Sequence, residues 1–165
     1  MTFPRRTLAV LVLLIAASPV GADDPPFTIG STPSWLLLGG VTTGGTLILA
    51  DRGAFVGGEV SLARLRNASF VGLYADGYYD WGSHGTYVTG GLEVGHKFVG
   101  FDGGVALRLA GGDQQLGAAG RVTVGLGMLG VYARYAHFWD VMKDDNVIQL
   151  GLVLKLPLWT SGGMQ

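Results

Sequence analysis

The 165-residue chain has no cysteine, so no disulfide framework is available to hold a fold together. Charge is scarce, with only 14% of residues being Asp, Glu, Lys or Arg. Long apolar runs are missing beyond the N-terminal segment: no later stretch reaches 18 consecutive apolar residues, which excludes a helical membrane span there. A basic excess is missing too. Arg5 and Arg6 account for two of the 11 basic residues, so residues 23–165 carry 9 basic and 12 acidic groups, a net of −3. That balance gives no footprint for nucleic-acid binding. Glycine, in contrast, is abundant at 29 residues, which disfavours long helices and permits the bends of a closed sheet.

Residues 1–22 have the layout of a cleavable export signal. Arg5 and Arg6 form a positive n-region, Leu8 to Ala17 an apolar h-region, and Val20 and Ala22 supply small residues at positions −3 and −1. The apolar run is too short for a spanning helix, which needs ~20 residues. The remaining 143 residues suit one domain. Residues 23–33, with Pro25, Pro26 and Pro33, read as an irregular leader.

From Ser34 onward the apolar pattern repeats every two residues. Strands are predicted at 34–49, 54–66, 69–79, 86–98, 101–111, 116–127, 130–139 and 147–159. The last is the clearest. Ile148, Leu150, Leu152, Leu154, Leu156 and Leu158 share one face, opposite Val147, Gln149, Gly151, Val153, Lys155 and Pro157. Strand six sets Val122, Val124 and Leu126 against Arg121, Thr123 and Gly125; strand five sets Val105, Leu107 and Leu109 against Asp102, Ala106 and Arg108. The first strand is irregular, because Leu36 and Leu38 break its alternation, and Gly44-Gly45 is a candidate bulge. Short connections (Asn67-Ala68, Val99-Gly100, Met128-Leu129) are expected to alternate with longer ones (Ala50–Gly53, Asp80–Gly85, Gly112–Gln115, Asp140–Asn146).

Alternation alone does not say which face is wet. Three features put the apolar face outward, toward lipid. The polar faces carry few charges among Gly, Ala, Ser and Thr, which suits a cramped lumen better than a solvated surface. Aromatics gather near predicted strand ends, with Trp35, Phe70, Phe98, Phe101 and Trp159 toward one side and Tyr78, Tyr79, Trp81, Tyr87, Phe138 and Trp139 toward the other. Strand lengths match a tilted membrane crossing. The fold expected is therefore all-β, an eight-stranded antiparallel up-and-down transmembrane β-barrel spanning residues 34–159, with 160–165 as a tail. In that arrangement Glu59, Asp76, Glu93, Arg108, Arg121, Arg134 and Lys155 form a lumen polar network. Trp35, Tyr79, Trp81, Phe98, Phe101, Trp139 and Trp159 mark the interfaces.

With this architecture the chain resembles the small outer-membrane barrels: the OmpA transmembrane domain, OmpX and OmpW-like proteins. Its last strand also resembles the signal read by the barrel-assembly machinery, through Gln149, Gly151, Leu154 and Leu156, although Trp159 is followed by six more residues where such proteins often stop at an aromatic. The resemblance implies an integral outer-membrane protein, exported by its N-terminal signal. Its expected surroundings are outer-membrane lipids and lipopolysaccharide, with the assembly machinery as a partner during biogenesis. A monomer is expected, without cofactor, metal or nucleic acid.

Other motifs carry less. Gly125 to Gly130 fits G-x-G-x-x-G, but no helix is predicted after it, so a dinucleotide site is not expected. Asn67-Ala68-Ser69 is a sequon only by pattern. His84, His96 and His137 lack metal-ligand spacing. Lipid A deacylases use a His-x-Ser pair near a strand end; the matching place is His137-Phe138-Trp139, where tryptophan stands instead of the nucleophile. The longer loops are acidic (Asp51, Asp80, Asp113, Asp140, Asp144, Asp145 against Arg52 and Lys143), which reads as a solvated rim, and Met142–Asp145 does not follow a calcium-loop spacing. The leading expectation is a non-enzymatic barrel for envelope integrity or surface interaction. The alternatives are a narrow ion or small-molecule channel, a secreted soluble lipid-binding barrel, and a lipid A-modifying enzyme.

Overall fold

The computed structural model describes residues 34–48, 51–66, 68–126, 128–139 and 145–161. The predicted export signal and the leader lie outside the described residues. Eight strands follow one another: β1 (Ser34–Ile48), β2 (Asp51–Arg66), β3 (Ser69–Asp80), β4 (Gly85–His96), β5 (Val99–Ala110), β6 (Asp113–Leu126), β7 (Leu129–Trp139) and β8 (Asp145–Thr160). Each pairs antiparallel with the next, and β8 pairs with β1 to close the barrel. Closure is what a two-residue apolar period achieves when one face must be covered and no sheet edge can be left open.

The strands run one to three residues past several predicted ends, and this alters the loops. The four-residue connections expected at Ala50–Gly53 and Gly112–Gln115 are shorter, because Asp51 already pairs with Ile48 and Asp113 with Ala110, the latter closing a two-residue turn at Gly111-Gly112. Gly111 and Gly112 have φ of 61° and 90°, a left-handed pair that glycine makes cheap. Only 81–84 and 140–144 remain longer, so the expected alternation holds at two of its four places. The turn expected at Val99-Gly100 is Lys97-Phe98, since Val99 already pairs with His96 and Val124.

The bulge is not at Gly44-Gly45, whose register is continuous on both sides. It lies at the β1–β8 seam. Leu37 faces Trp159 and Leu38 faces Pro157, which leaves Leu158 without a partner. Pro157 has no N–H to give the ladder, so the irregularity falls where the hydrogen-bond pattern is already broken.

The faces separate cleanly in β8. Ile148, Leu150, Leu152, Leu154, Leu156 and Leu158 are exposed outward, while Val147, Gln149, Gly151 and Val153 are buried. The other strands carry exposed Val and Leu in the same way, and Trp35, Tyr79, Trp81, Phe98, Phe101, Trp139 and Trp159 are exposed on the outside or in turns. Four aromatics expected beside them are not: Tyr78, Tyr87 and Phe138 point inward and are buried, and Phe70, on the same face of β3 as Tyr74 and Asp76, is half-buried. Tyr78, Tyr87 and Phe138 join Phe55 and Tyr132 as the aromatic part of the buried core. At the short-turn rim, neighbouring elements are tied by backbone bonds: Lys97 N–H to Ala68 O (2.7 Å), Gly125 N–H to Phe98 O (2.8 Å), Lys155 N–H to Met128 O (2.8 Å) and Ser161 N–H to Trp35 O (3.0 Å).

Inward and outward glycines differ in kind. A Cβ on Gly91 would lie 2.6 Å from Cα of Gly104 on the facing strand, so this inward pair has no room for side chains. A Cβ on outward Gly103 would meet only Ala119 O, at 3.6 Å. Gly91→Val is therefore expected to cost at least about 2 kcal/mol by overpacking, whereas Gly103→Val leaves the urea midpoint of the folded barrel within error; urea titration of both variants in lipid vesicles checks this.

Candidate functional site

The lumen is where the chemistry collects. Period-two alternation sends Glu59 and Ser61 of β2, Asp76 of β3, Thr89 and Glu93 of β4, Asp102 of β5, Arg121 of β6, Arg134 of β7 and Lys155 of β8 to the inside of the wall. Arg121 is the hub. Its Nη1 lies 2.5 Å from Glu59 Oε2 and 3.7 Å from Asp76 Oδ2, and its Nε donates to Asp102 Oδ2 at 2.7 Å. Arg134 pairs with Asp76, which also accepts from the Thr89 hydroxyl. Lys155 pairs with Glu59 and lies 3.2 Å from Glu93 Oε2, and Ser61 Oγ sits among these groups, within reach of Glu59 Oε1 (3.2 Å) and Glu93 Oε2 (3.3 Å), to either of which its one proton can be donated. Glu59, Asp76, Glu93, Arg121 and Arg134 are all buried; Lys155 is partly open toward the short-turn end.

Aromatic rings sandwich the two buried guanidiniums. Arg121 lies between Tyr74 (5.4 Å to the ring centre) and Tyr132 (5.2 Å), and Arg134 between Tyr132 (5.6 Å) and Tyr78 (5.1 Å). Tyr78 stacks on Tyr87 at 4.9 Å, and Arg108 stands over the Tyr87 ring at 5.7 Å. Ring faces carry negative potential, so they hold a desolvated guanidinium where water is excluded. Glycines make the space. A Cβ at Gly151 would stand 2.8 Å from Cζ of Tyr132 and 2.9 Å from Cζ of Phe55.

Of the residues predicted for the lumen, Glu59, Asp76, Glu93, Arg121, Arg134 and Lys155 come together in this cluster. Arg108 stands apart, half-buried, with Nη1 donating to Gln115 Oε1 at 3.2 Å. Asp102, although placed on the polar face of strand five, and the tyrosines were missing from the predicted network. Asp102 shares a face with Arg108 three pleats away, and Tyr74, Tyr78 and Tyr132 each lie two residues from Asp76 or Arg134, so the same period could have found them. In the proposed assembly signal, Gln149 and Gly151 face the lumen, where Gln149 Nε2 donates to Thr46 Oγ1 (3.2 Å), while Leu154 and Leu156 face outward. Asp80, expected on a solvated rim, is fully buried and accepts from the N–H groups of Gly82 (2.7 Å) and Ser83 (3.3 Å), so it fixes the β3–β4 turn.

Against known proteins, no family model and no curated sequence matches. Solved structures do. Outer membrane protein Ail of Yersinia pestis, in a phospholipid bilayer nanodisc, superposes with a TM-score of 0.50 at 12% identity, over 72% of this chain and 99% of that one. Neisserial surface protein A (0.42, 11%, 74% and 96%) and the N-terminal β-barrel domain of Pseudomonas aeruginosa OprF (0.43, 14%, 72% and 97%) also match. The fold is that of the small outer-membrane barrels.

Ser61, His137 and His96 each stand beside a polar partner. Lys155 Nζ is 3.1 Å from Ser61 Oγ, but it is ion-paired with Glu59 and Glu93 and donates to the hydroxyl, which is itself buried. His137 accompanies Asn146 (2.9 Å) on the outer side of β7, with Phe138 turned inward and Trp139 outward. His96 contacts Ser69 Oγ at 2.8 Å. The G-x-G-x-x-G run spans the β6–β7 turn between antiparallel strands. Among the described residues no three His, Asp or Glu side chains are grouped to hold a metal.

Removing one partner from a buried ion cluster leaves the others uncompensated. Arg121→Met is therefore expected to destabilise the barrel by about 3–5 kcal/mol. Glu59→Met in the same chain should return part of the loss, a coupling of at least about 1 kcal/mol in a double-mutant cycle of urea unfolding.

Proposed function

We propose that this protein is an integral outer-membrane barrel without catalytic activity, whose role is mechanical and interfacial: it spans the membrane as a plugged cylinder and contributes to envelope integrity or surface interaction. The observation that carries the reading is the inversion of the molecule. Large apolar side chains are exposed on every strand, while Glu59, Asp76, Glu93, Arg121 and Arg134 are buried within. A water-soluble monomer rarely exposes an apolar patch beyond a few hundred Å²; a closed ladder with an apolar outside is the β solution for crossing lipid. The outward Trp and Tyr near the strand ends support an interfacial seat on both sides.

A filled lumen supports a structural role over a channel. The ion cluster and the aromatic cluster occupy the space that eight strands enclose. In this reading residues 1–22 direct export, β8 is read by the assembly machinery, and the mature protein is a monomer among outer-membrane lipids and lipopolysaccharide.

The expected outcomes are recovery with the outer membrane after salt washing, faster gel migration when unboiled than when boiled, and no reproducible open state in planar bilayers. Recovery in a soluble fraction, or steady conductance from the wild-type barrel, would overturn the reading.

A further inference from the structure

The two rims of the barrel carry charge unequally. Arg64 and Arg66 are exposed on the outward face of β2, directly after Leu62, where the apolar band ends. Lys97 is exposed in the β4–β5 turn, whose N–H bond to Ala68 O brings it against the turn that follows Arg66. The carboxylates nearest this end, Glu93 and Asp102, point inward and pair with Lys155 and Arg121. Among the described side chains the opposite rim carries one exposed cation, Arg52, and one exposed carboxylate, Asp113, whereas this rim carries three exposed cations and no exposed carboxylate. Aromatics frame the basic patch: Trp35 pairs in register with Arg64, Phe98 follows Lys97, and both are exposed.

Lys97 also sits in a left-handed conformation, with φ of 51°, which suits glycine or asparagine. The backbone there does not call for a lysine; Ala68 in the adjoining turn has the same left-handed conformation.

We propose that the short-turn rim is a binding site for anionic phospholipid headgroups. Arg64, Arg66 and Lys97 pair with the phosphates and anionic heads of the leaflet around this end, while acyl chains lie on Leu62 and the apolar band beyond it. A lipid is the partner that fits because its charge and its chains are joined at the height where the cations and the apolar wall meet. Charge complementarity favours it, since no exposed carboxylate stands among the described side chains of this rim. This proposal rests on the membrane-spanning reading above.

The test uses protein extracted in mild detergent and reconstituted with phosphatidylglycerol and phosphatidylcholine of matched chains, with retained lipid counted by native mass spectrometry. The wild type is expected to prefer phosphatidylglycerol at low salt, by up to about fivefold per cation, with the preference shrinking as salt screens it. The Arg64→Gln, Arg66→Gln, Lys97→Gly triple variant should retain both lipids equally, and Asp113→Asn should behave as wild type. Lys97→Gly alone separates charge from structure: relieved of its left-handed side chain, it should resist urea in phosphatidylcholine at least as well as wild type while losing part of the selectivity. A wild type without preference, or a triple variant that keeps it, overturns the site. Free phosphate abolishing the preference at an ionic strength where chloride does not would assign the patch to soluble phosphate instead. Failure to insert into vesicles at all would overturn the membrane reading, which is a separate result.

Discussion

The structure depends on closing the ladder between β1 and β8. An eight-stranded sheet with a free edge would present a row of N–H and C=O groups that lipid has no means to satisfy, each costing several kcal/mol. Once Leu36–Ile48 pairs with Val147–Thr160, those edge groups join the ladder, and an outside made of Val and Leu becomes compatible with a membrane. The seam absorbs its one irregularity near Pro157, at the rim, where an unpaired residue is cheapest.

Closure then dictates the interior. Eight strands leave a space about one side chain deep, and the alternation that sends leucine outward sends the mid-strand charges, Glu59, Asp76, Glu93, Asp102, Arg121 and Arg134, inward. An isolated ion there would be untenable, so cations and carboxylates must meet. Arg121 reaches Glu59, Asp76 and Asp102, each on a different strand, and so ties distant parts of the wall together through one guanidinium. The tyrosines fill what remains, and inward glycines such as Gly151 and Gly91 leave the room the rings and strands need. The same geometry buries Ser61 beside Lys155, whose ammonium is held by Glu59 and Glu93.

What interacts with the surroundings is consequently the outside and the rims. Around the apolar wall, Trp and Phe side chains are exposed near the strand ends, and the described rim charges give the cylinder a polarity that the symmetric strand count lacks.

Strand number, strand faces and the inward set of ions were legible in the sequence because a period of two is enough to assign them: Leu150 out and Gln149 in follow from parity alone. Turn lengths were not, because Asp51 and Asp113 look like loop residues locally, and only the facing strand decides that they pair. The destination of Tyr78, Tyr87 and Phe138 was hidden for a related reason. Aromatic identity near a strand end suggests an interface, yet parity and the space left by glycines on other strands turn these rings inward. The sequence by itself determined which residues share a face, since that is a property of one strand. Which of them touch, Arg121 with Glu59 sixty-two positions away or Lys155 with Ser61, was decided only when the sheet curved shut, because contact across a lumen belongs to the cylinder and not to any strand in it.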